Sequence, residues 1–171
     1  MPSFIHPYIA SQVHQEIHFD LDAIDGDGTT ALMWAAFSGD RKIVDILLET
    51  KNVELDMTDG IGLTSLMYAC TQGHESIVNK LLDYKADVNI KDDEGNTALI
   101  WAARMGYDEI VSMLVNACAD IDVRNDKLES AASEGKDFKK VVKAMSKVPK
   151  HCEGKASKRI IIEGTDEDSE F

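Results

Sequence analysis

Histidine, cysteine and aromatic side chains are where chemistry would begin in this chain. His14 and His18 stand four apart in SQVHQEIH, a spacing that sets two imidazoles on one helical face and suits zinc. No HExxH glutamate or cysteine pair accompanies them, so no metal site is expected. Cys70, Cys118 and Cys152 are an odd number of cysteines without metal-ligand spacing, which argues for free thiols in a reducing compartment. Cys70 replaces an alanine of a repeated heptad and is expected in the core, whereas Cys152 follows His151 in a polar stretch. His74, in QGHESIV, opens a helix and reads as structural. The chain has no P-loop, no GxSxG and no GxGxxG. No catalytic residues and no cofactor are expected, and the chain reads as non-enzymatic.

One aromatic pattern survives that filter. TALMWAA, TSLMYAC and TALIWAA carry a ring at the same slot: Trp34, Tyr68 and Trp101. Rings of this kind are either core filling or a binding surface, because aromatic side chains dominate interface energetics at low entropic cost. On a helix, the residues three and four places on share the ring's face. These are Phe37 and Ser38, Thr71 and Gln72, Arg104 and Met105.

The elements that must hold these rings form an internal repeat. Gly62 and Gly95 are 33 apart, as are Thr64 and Thr97, Leu66 and Leu99, and Gly73 and Gly106. One unit upstream the offset is 34, from Gly28 to Gly62 and Gly39 to Gly73, and the extra residue falls in LLETKNVELD. Within a unit the pattern predicts helix, turn, helix and loop. Thr97 caps a first helix, and Gly106 ends it in a left-handed conformation. Ile110, Val111, Leu114 and Val115 make the second helix amphipathic. So small a unit cannot bury its apolar face alone, so neighbours must stack.

The bulk properties limit the partners. The 171 residues are 44% apolar, with a net charge of −13. Acidity of that size argues against nucleic acid and against an anionic membrane surface. No stretch is apolar enough to span a bilayer, and the N-terminal residues lack the features of a signal peptide. A cytoplasmic location is expected, with the nucleus as an alternative, and a monomer.

The period and the DxxGxTxLxxAxxxGxxxIVxxLL pattern resemble the ankyrin repeat. The resemblance implies an all-α solenoid of helix-turn-helix units with β-hairpin-like loops. It divides the chain into an N-terminal cap (1–24), repeats at 25–58, 59–91 and 92–124, a shortened C-terminal cap (125–148) and a flexible acidic tail (149–171). Within that cap, LESAASEG echoes ALIWAARMG, the first helix of the third repeat. The sequence departs from the family where Met33, Met67 and Ile100 replace the usual histidine, which implies apolar packing there. Lys85 and Cys118 stand where a glycine is usual, in a left-handed position costing about 1 kcal/mol each.

By the same resemblance, first helices and hairpin fingers line a concave groove. Trp34, Tyr68 and Trp101 would then be its floor, and the surplus finger acids Asp27, Asp93 and Glu94 its rim. Such a groove suits another protein, through an extended, apolar and partly basic segment. The competing reading is a stoichiometric inhibitor of an enzyme or transcription factor that uses a broad ankyrin face. Asn89, in LLDYKADVN, resembles ankyrin-loop asparagines hydroxylated by an oxygen-sensing dioxygenase. In the tail, Ile160–Ile162 followed by acids resembles a strand-adding motif for ubiquitin-like modifiers, and Ser169-Glu170-Phe171 a PDZ ligand.

Overall fold

The computed structural model describes residues 20–50, 52–127 and 129–134, together with Cys152. Within them the helices are α1 (Ala31–Ser38), α2 (Arg41–Glu49), α3 (Ser65–Gln72), α4 (Glu75–Asp83), α5 (Ala98–Met105), α6 (Asp108–Asn116) and the single turn α7 (Ala131–Glu134). Among the described residues there is no strand, only one isolated bridge, Ile24 to Thr30, in the first loop.

Each first helix begins and ends by the same device. Thr30, Thr64 and Thr97 accept a hydrogen bond from the backbone N–H three residues on, satisfying a donor that the first turn leaves open. Gly39, Gly73 and Gly106 end them at φ of 76°, 76° and 83°. A side chain on the first two of these glycines would meet a ring of the next repeat. A Cβ on Gly39 would lie 2.6 Å from the His74 ring, and one on Gly73 would lie 2.6 Å from Tyr107. His74 and Tyr107 are equivalent residues of successive repeats, and each lies across the glycine of the repeat before it. His74 is structural, as its sequence context suggested, with Nε2 3.1 Å from the Phe37 carbonyl oxygen.

First helices pack on first helices, second on second, and one continuous core results. Leu32, Leu66 and Leu99 from the first row meet Val44, Ile77, Val78, Ile110, Val111 and Leu114 from the second, all essentially inaccessible. Met33, Met67 and Ile100 are buried as expected, and Met33 adds a sulfur that accepts from Thr30 N–H. Cys70 is buried and free, and burial pushes its thiol pKa up. Lys85 and Cys118 do adopt left-handed backbone, at φ 72° and 68°. Ala131 of α7 is buried, and α7 packs on α5.

Neighbouring units are tied on two sides. Along the fingers, Gly60 N–H donates to Asp27 O, Asp93 N–H to Ile61 O and Asp126 N–H to Glu94 O, at 2.8, 3.2 and 2.9 Å. Along the opposite loops, Asp22, Asp56 and Asn89 side chains accept from the N–H of Glu54, Asp87 and Asp120 at 3.0, 2.9 and 2.8 Å.

The cysteine expectation needs correction. Cys118 and Cys152 are joined in a disulfide, so two of the three thiols are not free. Only Cys70 keeps the free thiol expected of all three. Cys152, expected in a polar tail, is fully buried. His14, His18, the Ile160–Ile162 triplet and the last three residues lie outside the described residues. No helix among the described residues is long and apolar enough to cross a membrane.

Candidate functional site

The aromatic slot is built the same way three times. Trp34 Nε1 donates to Asp25 Oδ2 at 2.9 Å, Tyr68 OH to Asp59 Oδ2 at 2.5 Å, and Trp101 Nε1 to Asp92 Oδ2 at 2.9 Å. The other oxygen of each aspartate accepts the backbone N–H groups two and four residues ahead, which folds the finger. The ring thus fastens each finger to its own first helix. A smaller apolar residue could stack as well but could not make this bond. The Trp34 bond is the main reason the Asp25 carboxyl titrates below the ordinary aspartate value, with the Thr29 and Asp27 amides adding to it.

What differs between copies is what covers the ring. In the third repeat the guanidinium of Arg104 lies 4.8 Å from the Trp101 centroid. Arg104 also donates to Asn96 Oδ1 at 3.2 Å and pairs with Glu129 at 3.5 Å. Asn125, itself buried, donates to Asn96 Oδ1 and Glu129 Oε2, so this end is sealed by a satisfied polar network. In the second repeat the residue matching Arg104 is Thr71, whose hydroxyl turns back to the Tyr68 carbonyl at 2.8 Å. In the first repeat it is Phe37, set edge-on to both Trp34 and Tyr68, at 6.3 and 5.8 Å between centroids.

Between the first two repeats these rings leave an open pocket of about 700 Å³. Trp34, Phe37 and Tyr68 form its floor, Ile61 and Met33 add apolar wall, and Asp27 and Asp59 add charge. Trp34 is 54% exposed, Phe37 42% and Ile61 60%, whereas Trp101 is half-buried. Burial and the bond to Asp59 push the Tyr68 hydroxyl up to about 12, so the phenol stays protonated and donating.

The expected site residues divide accordingly. Trp34, Phe37, Tyr68 and Asp27 come together in the pocket. Ser38 is exposed beside it and donates to the Trp34 carbonyl. Gln72 is exposed, and Met105 is half-buried at the far end. Trp101 and Arg104 are engaged with each other. Glu94 pairs with Lys127 at 3.4 Å, and Asp93 is exposed on the third finger. Asn89 is exposed, but its side-chain oxygen is committed to Asp120 N–H.

Ile61, Met33 and Asp59 line the pocket without having been expected there, and Ile61 is the most exposed of the three. Ile61 is the exception among them. It occupies the finger-tip register of Asp27 and Glu94, where an apolar side chain has no core to join. That exception was visible in the alignment of the repeats. Among the described residues no group of histidine, cysteine and carboxylate side chains could hold a metal ion.

A family model described as ankyrin repeats (3 copies) matches residues 8–92 and 51–126, well over half of the chain. No curated protein matches it.

Proposed function

The chain belongs to the ankyrin repeat family, whose members generally mediate protein–protein interaction, and on that premise we propose that it is a non-enzymatic adaptor holding an extended segment of another protein in its groove. One observation carries this reading. The rings of repeat 1, Trp34 and Phe37, stay exposed and with half-buried Tyr68 floor a pocket bounded by apolar wall and carboxylates, while the ring of repeat 3 has Arg104 over its face. Exposed apolar floor beside a charged rim is the arrangement expected of a docking site rather than of packing. The segment would be apolar and partly basic, matching floor and rim. The setting proposed is the cytoplasm or the nucleus, with the protein a monomer.

Affinity capture with the whole chain, compared with a Trp34→Ala/Tyr68→Ala variant shown by circular dichroism to be folded, tests the proposal. Partner capture is expected to be lost in the variant, and undiminished capture would overturn it. Trp101 is left in place because it is already covered. A short peptide from a captured partner should compete with the whole partner. Failure of every such peptide would instead favour the alternative, an inhibitor of an enzyme or transcription factor working through a broad face.

A further inference from the structure

The chain itself shows what an aromatic of this slot takes as its cover. Over Trp101 it places a guanidinium, held by the ring face, by an amide oxygen and by the Glu129 carboxylate. A guanidinium stacks on the ring and forks to oxygen acceptors, and a hydrated ammonium does neither as well. Repeat 1 offers the same ring in Trp34, more exposed, with a carboxylate nearby in Asp27. Its own residue at the matching position is Phe37, so the repeat has no cation at the position that Arg104 holds. Among the described residues no cation pairs with the Asp27 carboxylate. An aliphatic anchor would fill the floor and leave that charge partly dehydrated without a counterion.

From this contrast we infer that the pocket of repeats 1 and 2 takes an arginine side chain of the partner segment, stacked on Trp34 and paired with Asp27. Phe37 and Tyr68 then contact the aliphatic stem of that arginine, and Ile61 takes the apolar neighbour. This specificity rests on the groove reading given above and can fail without it.

The test uses the full chain and a displayed library of random nonapeptides. Enriched sequences are expected to share an arginine at one position with apolar residues beside it. Replacing that arginine by citrulline keeps its shape and removes its charge, and should weaken binding about tenfold. Against the Asp27→Asn protein the same replacement should cost only about two- to threefold, because the two changes remove one shared interaction. Peptides that need Trp34 and Phe37 but share no arginine would overturn the inference and leave the groove reading standing. So would a citrulline loss that is the same with Asp27→Asn. Peptides whose binding survives both Trp34→Ala and Phe37→Ala, each checked for folding, would sink the groove reading and this inference together.

Discussion

Trp101 donates its indole N–H to Asp92, an aspartate only 8% exposed, whereas Trp34 makes the same bond to the exposed Asp25. Loss of a donor costs more where water cannot replace it. Trp101→Phe should therefore destabilise the protein by about 1 kcal/mol. Trp34→Phe, compared by urea denaturation, should have a visibly smaller effect. Equal losses, or the reverse order, would remove the fastening role from the third ring.

Gly73 has φ of 76° and no room for a side chain, since an added Cβ would meet the Tyr107 ring at 2.6 Å. Gly73→Ala combines left-handed strain with overpacking and should cost about 2–4 kcal/mol. Adding Tyr107→Ala should recover part of the loss, because it removes the obstacle but not the strain. No recovery in the double variant would mean that the contact across repeats does not matter.

Lys85 holds a left-handed conformation without being glycine. Lys85→Gly removes the Cβ penalty and adds freedom to the unfolded chain, two opposed effects. The net gain expected is up to about 1 kcal/mol, with Tm raised by about 2–4 °C. A lowered Tm would show that the lysine side chain makes a contribution of its own.

The alkaline titration of Tyr68 has a definite sign. Burial, then the bond to Asp59, hold its hydroxyl at about 12 against an ordinary 10.0. The fold thus favours the protonated phenol. That contribution to stability is complete below pH 10 and fades as the pH climbs toward 12. In tyrosinate absorbance, the wild type should carry a late-titrating component that Tyr68→Phe lacks. Identical late titration curves would contradict the bond.

The Cys118–Cys152 bond is checked by counting thiols. Denatured without reductant, the oxidised chain should show one reactive thiol, from Cys70, and three after reduction. Closing a loop of this size stabilises by about 2–4 kcal/mol, so Cys152→Ser should lower Tm under oxidising conditions and not under reducing ones. Three thiols before reduction would rule the bond out.

The repeat itself, the threonine caps and both left-handed non-glycine positions were legible because each depends on a few neighbours in sequence. The role of the rings was only half legible. Asp25 and Trp34, Asp59 and Tyr68, and Asp92 and Trp101 all stand nine apart, yet reading a hydrogen bond from that interval requires the turn between them. The difference between open and closed slots was less accessible still. It depends on one residue, Arg104, and on Asn96 and Glu129 being brought to it by separate loops. The disulfide was hidden by the odd cysteine count and by the 34 residues separating its partners. Nothing local marks such a pairing.

The paired seams between repeats have a consequence for recognition. Repeats 1 and 2, and repeats 2 and 3, are each joined by a finger bond on one edge and a loop bond on the other, so neither edge opens without loss at that edge. Bending that would move Trp34 away from Tyr68 is opposed at both. On the proposed groove reading the floor would act like a ruler with fixed graduations, and a segment whose anchors fall at another interval would be rejected however favourable each contact would be alone.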